Sequence, residues 1–436
     1  MSPPASKPAA TWRTRVLRHA LDLAPLRNTS FSWLYTVRLI AVVVYGVLGI
    51  TVAWQVWGLT QSSLKVAGVG VGLALGTMLG LMVGGFLADR VNRRTIMVAG
   101  RAAYIPAVVL LLINSLQTSP QVEWIYLATV LSGLTGGISA PALMASVPAL
   151  LPPQQLAAAG ALGALAEQLG RLIGPLLAAA LISFAGSSAC YTLALAGALA
   201  TPLLLLRLPS MPPPTHTAVA RPPPAWRAWR EGLLFAWRSP VVGGLLLLDV
   251  LMAVAATPWV LLPQLGVESL GGDAQLVGWL HAAPAAGALV AAATSGWTRR
   301  LQRPGALLII AAMVWGLALA IAGASTQAIW VLALLVLAGA ADTVADIVRG
   351  ALLQLHTPDA LRGRVSALWL MEMHLAPAAG GVFLGGAAQR WSASAALLAG
   401  GLVCACTSLL AGGFNRNLRH SPWRCEQTLP STAPSN

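Results

Sequence analysis

Twelve apolar runs, each long enough to cross a bilayer, follow one another along this 436-residue chain and leave it almost no other way to fold. A spanning helix needs about 20 residues to cross the hydrocarbon layer. The runs lie near 31–59, 64–88, 95–116, 124–149, 156–182, 188–207, 239–263, 275–296, 305–325, 328–352, 363–388 and 393–413. Only 9% of the residues are charged, about a third of the share in a soluble domain, which excludes an ordinary cytosolic protein. In hydrocarbon each backbone N–H and C=O must be paired within its own segment or in a closed barrel. Runs of this length therefore predict an all-α integral membrane protein with twelve transmembrane helices.

The charges sort by side. The net charge is +14, from 27 basic against 13 acidic residues. Lys7, Arg13, Arg15, Arg18 and Arg27 precede the first run; Arg90, Arg93 and Arg94 separate the second from the third. Arg207, Arg221, Arg227, Arg230 and Arg238 lie between the sixth and seventh, and Arg299, Arg300 and Arg303 between the eighth and ninth. Arg349, Arg362 and Arg364 mark the passage from the tenth to the eleventh, and Arg416, Arg419 and Arg424 follow the twelfth. All of these fall on one face of the membrane, while the other receives only Lys65 and Arg390. The positive-inside rule makes the basic face cytoplasmic, with both termini of a multi-pass protein on it. The basic balance thus reports topology and a lipid partner, not a nucleic acid.

Other classes find little support. Residues 1–30 are basic and polar, so the first run is expected to act as its own insertion signal. Cys190, Cys404 and Cys406 fall in apolar runs and Cys425 in the tail, which fits neither a disulfide framework nor a zinc site. Without a Gly-x-x-x-x-Gly-Lys-Ser/Thr loop or a nucleophile–base constellation, neither an enzyme, a cofactor nor a metal is expected.

The runs divide six and six. The expected organisation is a cytoplasmic tail at 1–30, a six-helix bundle at 31–207, a Pro-rich cytoplasmic linker at 208–238, a second bundle at 239–413 and a tail at 414–436. The linker begins extended, with Pro212–Pro214 and Pro222–Pro224, and then suggests a short amphipathic segment with Trp226 and Trp229 on the inner leaflet. At an offset of 205 residues Leu151-Pro152-Pro153 meets His356-Thr357-Pro358, Glu167 meets Glu372, and Arg94 meets Arg299. Such a register points to parallel repeats related by an axis along the membrane normal.

After the second run the chain reads Gly84-Gly85-Phe86-Leu87-Ala88-Asp89-Arg90-Val91-Asn92-Arg93-Arg94. This resembles the signature loop of the major facilitator superfamily, with Asn92 where the superfamily usually has glycine. A carboxylate at a helix C-terminus is disfavoured by the dipole, so Asp89 requires a positive partner. The resemblance implies a gating motif of Gly85, Asp89, Arg90, Arg93 and Arg94, with Asp89 latching onto the start of helix 11 in one state. Gly68, Gly72, Gly76, Gly80 and Gly84 form a stripe that admits another backbone. The eleventh run, with Gly380, Gly381, Gly385 and Gly386, is the expected partner, since helices 2 and 11 are neighbours in the superfamily; static packing and a sliding surface are both open. Gly170-Arg171-Leu172-Ile173-Gly174-Pro175 is similar to an element that exporters of the superfamily carry in helix 5.

From residue 20 to about 413 the chain resembles the enterobactin exporter family, through Arg38, residues 54–63, 80–90 and 239–244, and Gln354 to Val365. That resemblance implies the major facilitator fold and proton-driven export of a siderophore across a bacterial inner membrane.

Ionisable groups inside spans are expensive unless paired or in a wet cavity, so each is a functional candidate. They are Arg38, Arg101, Glu167, Arg171, Asp249, His281, Asp342, Asp346, Arg349, Glu372 and His374. Glu167 and Arg171 can pair at i, i+4, or Glu167 and Glu372 can face each other across a cavity. Asp346 and Arg349 suit an i, i+3 pair, which leaves Asp342 and Asp249, with Glu167 and Glu372, as proton-coupling candidates. Arg38, Arg171, His281 and His374 could meet an anionic ligand, and Trp54, Trp279 and Trp369 could stack on its aromatic parts. The expectation is a monomeric transporter that exports an anionic small molecule, a siderophore, by proton-coupled alternating access. Alternatives are a multidrug efflux pump of the same fold and a non-transporting membrane sensor or scaffold.

Overall fold

A computed structural model describes residues 22–88, 90–212, 225–296 and 302–419. Expectations for Asp89, Arg299, Arg300, most of the N-terminal tail, the Pro-rich part of the linker and the C-terminal tail beyond 419 lie outside the described residues.

Helix α1, Thr29–Thr60, is capped by Asn28, whose side chain accepts from the Phe31 N–H, and it stops at Gln61 in the left-handed region. It is followed by α2 (Ser63–Ala88), α3 (Arg93–Leu116) and α4 (Val122–Leu150). Next comes one continuous stretch, Leu156–Leu205, of 50 residues. At 1.5 Å per residue it is about twice the length a crossing needs. It divides at Gly186, where φ 75 and ψ -179 break the helix, a conformation essentially restricted to glycine. We number the two parts α5 (156–185) and α6 (187–205).

The linker ends in an amphipathic helix, Ala225–Arg238, and then come α7 (Pro240–Ala255), α8 (Ala274–Thr294), α9 (Pro304–Ala324), α10 (Ala328–Leu355), α11 (Asp359–Arg390) and α12 (Ala393–Phe414). Eleven helices are long and apolar enough to span, and the one divided at Gly186 crosses twice, which gives the twelve crossings expected. The seventh run is shorter than the hydropathy suggests: α7 ends at Ala255, and the chain continues to Ser269 in short 3-10, α and π turns. Among the described residues there is no strand.

Within the first half α2 packs on α4 and α1 on the Leu156–Leu205 pair; within the second, α8 packs on α10 and α9 on α12. The glycine stripe belongs to this internal packing. Gly72, Gly76, Gly80 and Gly84 face α4, where a methyl group would run into Thr129, Val130, Leu134 and Ile138. Gly133 and Gly137 of α4 answer against Leu73, Thr77 and Leu81 of α2. The expected partner, α11, meets α2 on a different face, through Gly381 against Ala67 and Gly385 against Ser63 and Leu64. A stripe shows that a backbone comes close, but spacing alone does not say which one. Gly170 and Gly174 play the same part in α5, seating Val42 and Gly46 of α1.

The halves join at one end. Besides the α2–α11 contact, Gly278 of α8 sits on Pro175 and Ala179 of α5. Ser63 donates to Gln264 at 2.6 Å and Gln389 donates to Ser62 at 2.5 Å. All of these residues lie at the end away from the basic loops. At the opposite end the halves leave a cleft on which Glu167, Arg171 and Asp346 remain about half exposed.

Candidate transport site

Arg38, Glu167, Asp249 and Glu372 each lie roughly three turns in from the basic end of their helices. The structure gathers the intramembrane charges into two groups, one on each side of the cleft.

On the first half, Arg38 of α1 reaches Glu167 of α5 at 3.4 Å, and Arg171 reaches the other carboxylate oxygen at 3.4 Å. The i, i+4 pair read from the sequence is therefore present, but Glu167 is shared between two guanidinium groups. Both arginines keep donors free for the cleft, since five N–H groups far exceed one carboxylate oxygen. Close helix approach makes this possible: Gly163, one turn before Glu167, lies against the Arg38 guanidinium at a spot where any side chain would press on it. On its other side Arg38 shares a small cavity with Arg101, Ser139, Met97 and Leu205.

On the second half, Arg349 of α10 binds Asp346 at 2.6 Å, the expected i, i+3 pair, and also Asp249 of α7 at 2.8 Å. The second bond was not legible in the sequence, because its partners stand on different helices and only a hydropathy face, not a direction, could be assigned to each. The indole N–H of Trp369 on α11 donates to the remaining oxygen of Asp249 at 3.1 Å. One carboxylate thus ties α7, α10 and α11 together. Asp342 lies within electrostatic reach of Asp249, Asp346 and Arg349. Glu372 acts on Arg349 and Asp249, and its Oε1 is buried without a hydrogen-bond partner. Glu167 and Glu372, the alternative pair of carboxylates flanking a cavity, stand in separate groups on the two halves: Glu167 is bonded to Arg38 and Arg171, and Glu372 belongs to the group around Arg349.

The other candidates stay apart from these groups. The Nδ1 of His281 is bonded to the Val277 carbonyl and its ring lies 6.3 Å from that of Trp259. His374 bonds the carbonyl of Leu370 in its own helix. Trp54 lies against Trp57, 6.0 Å between centroids, and Trp279 is exposed near the start of α8. Of the aromatic candidates, Trp369 is the one the structure joins to a charged group.

The loop after α2 is built by Asn92. Its side-chain oxygen caps α3 by accepting from the Arg94 N–H at 3.0 Å, and accepts from Met211 N–H at 3.2 Å; its amide donates to Ser210 at 2.5 Å. A residue that departs from the superfamily pattern is thus the cap of α3 and the anchor of the linker's first residues. Arg93 donates to the Ala145 carbonyl at the end of α4 at 3.0 Å, Arg94 to Leu206 after α6, and Arg90 lies 3.5 Å over the ring of Phe86. Cations on helix C-terminal carbonyls are favourably placed. Gly85 has open space around it.

Twelve crossings in two six-helix halves around a charged cleft define a membrane transporter of the major facilitator type. The chain belongs to the transmembrane secretion effector family of that superfamily, whose profile matches residues 20–432. Enterobactin exporter EntS from Escherichia coli (strain K12) is 33% identical over 409 residues, covering 92% of this chain and 96% of that protein. The protein of the same name from Shigella boydii serotype 18 is 34% identical over the same lengths. Among solved structures, a D-xylose-proton symporter has a TM-score of 0.69 at 15% identity, covering 90% of this chain and all of that one. A bacterial homologue of the human lysosomal transporter Spinster, in an inward-facing and unoccupied conformation, has a TM-score of 0.70 at 16% identity, covering 92% and 100%. At these identities the structural likeness speaks for the fold. The relatives carry the names of transporters, in keeping with a protein that is not an enzyme.

Proposed function

We propose that this protein exports an anionic, siderophore-like compound from the cytoplasm across a bacterial inner membrane, driven by inward proton flow. The observation that carries the proposal is the division of charge across the cleft. One wall offers the spare donors of Arg38 and Arg171, held at either side of Glu167. The other is acidic, with Asp249, Asp342, Asp346 and Glu372 around the single cation Arg349. A compound with catecholate or carboxylate oxygens is matched by the first wall, and a proton by the second. The identity to enterobactin exporters over nearly the full chain supports the same cargo class.

With the basic loops in the cytoplasm, the cleft opens inward, in the form that would receive cargo. Alternating access then requires that the contacts at the far end part and that the inner ends of α2, α5, α8 and α11 close. The two bundles at 31–207 and 239–413 act as the rocking bodies, and one chain suffices. Each unit charge moved inward supplies about 2.3 kcal/mol per 100 mV, roughly a fortyfold gradient for a cargo that carries no net charge.

Inverted vesicles containing the protein test this directly. A catecholate siderophore should accumulate inside them when the lumen is acidic, and a proton ionophore should abolish the accumulation. Equal uptake with and without the pH gradient would overturn proton coupling, and uptake of lipophilic cations in place of the siderophore would overturn the cargo class.

A further inference from the structure

Among the described residues Arg349 is the one charged side chain sealed from solvent, at 3% exposure. Four carboxylates surround it: Asp249 on α7, Asp342 and Asp346 on α10, and Glu372 on α11. The sulfur of Met252 on α7 lies 3.6 Å from its Nη2. Arg171 of α5 acts on Asp342 from the other half, and Cys404 on α12 is a further titratable group near Asp342.

Two atoms in this group are left over. The Nε of Arg349 and the Oε1 of Glu372 are both buried and neither has a hydrogen-bond partner. An orphaned buried donor or acceptor is destabilising, and here a cationic donor and an anionic acceptor are orphaned in the same cluster. A single bond between them would satisfy both. What keeps the guanidinium where it is are its bonds to Asp249 and Asp346.

We propose that Arg349 is a positioning residue that exchanges carboxylates during the cycle, from Asp249 on α7 to Glu372 on α11. The proposal rests on the proton-coupled reading above. A proton taken up when the site is open to the side away from the basic loops binds the Asp249 carboxylate, which removes the charge from its 2.8 Å pair with Arg349, and it leaves to the water of the cytoplasmic cleft. The guanidinium turns and presents Nε to Glu372; loss of the proton restores the first pair. Asp346, on the same helix as Arg349, remains bound throughout and keeps the cation from being bare. Proton binding is thereby turned into a change in which helix α10 is tied to. Trp369, three residues before Glu372 on α11, donates to Asp249 in the form seen here and so senses the exchange.

Fluorine resonance on the full-length protein labelled with 5-fluorotryptophan tests the exchange, with the Trp369 signal assigned by its loss in Trp369→Phe. In the unmodified protein that signal should move between two positions as pH is varied. Asp249→Asn should hold it at the low-pH position at every pH, and Glu372→Gln should hold it at the high-pH position across the range where the unmodified protein titrates. Should Glu372→Gln not be recovered folded, Glu372→Asp, which withdraws the carboxylate by one methylene, should freeze the signal in the same way. A signal that titrates identically with and without Glu372, in protein whose export still responds to a pH gradient, overturns the exchange and leaves proton coupling standing. A signal that ignores pH in the unmodified protein also overturns it, and export that ignores the gradient as well would overturn the coupled reading beneath it.

Discussion

The hydroxyl of Ser63 on α2 donates across the seam between the halves to the side-chain oxygen of Gln264, 2.6 Å away and buried. With Gln389 on Ser62 it fastens the end of the molecule away from the basic loops. A neutral buried hydrogen bond is worth about 1 kcal/mol. Ser63→Ala is therefore expected to raise the population open at that end about fivefold, read as the distance between spin labels at the outer ends of α2 and α11. An unchanged distance distribution would show that the bond does not hold the seam.

Arg38 and Arg171 share Glu167, so substitutions on this wall should act in opposite directions. Arg38→Gln removes a charge-assisted contact of about 1.5–3 kcal/mol and should raise the KM for an anionic cargo at least tenfold, with a smaller effect on kcat. Glu167→Gln frees both arginines and should lower the KM. Transport assays in proteoliposomes separate the two; a fall in kcat alone for Arg38→Gln would count against a binding role.

Gly80 and Gly70 stand on the same helix in different surroundings. Gly80 lies on the backbone of Leu134 and Gly137 in α4, whereas nothing lies within 4 Å of a methyl group at Gly70. Gly80→Ala should lower stability by about 1–3 kcal/mol through overpacking. Gly70→Ala should be neutral or stabilise by up to about 1 kcal/mol, the helix preference of alanine over glycine. Thermal unfolding in detergent ranks them.

Asn92 caps α3. Asn92→Ala should cost about 1 kcal/mol, and Asn92→Gly, the residue common in the superfamily, less. Equal losses for the two would place the contribution in the bonds to Ser210 and Met211 instead of the cap.

Twelve crossings, the linker helix and the Asp346–Arg349 pair were all legible, because span length and i, i+3 spacing are local properties of the chain. The break at Gly186 fell between two hydropathy runs and was implied by their spacing. What could not be read was azimuth. The stripe of α2 promised a close neighbour without saying that it is α4, and Asp249 gave no sign that it meets Arg349, 100 residues further along. The matching positions of Glu167 and Glu372 showed where each sits in its half, but the repeat did not show that Glu167 is shared by two arginines while Glu372 lies near one.

Interleaved glycines bring α2 onto α4, and α1 onto α5, backbone to backbone. Each of these pairs is therefore set to move as a unit, and movement between the halves has to part the seam where Gly278 meets Ala179 and Gly385 meets Leu64. A small wedge lodged there would stall export at any cargo concentration, because it would block the hinge without occupying the seat.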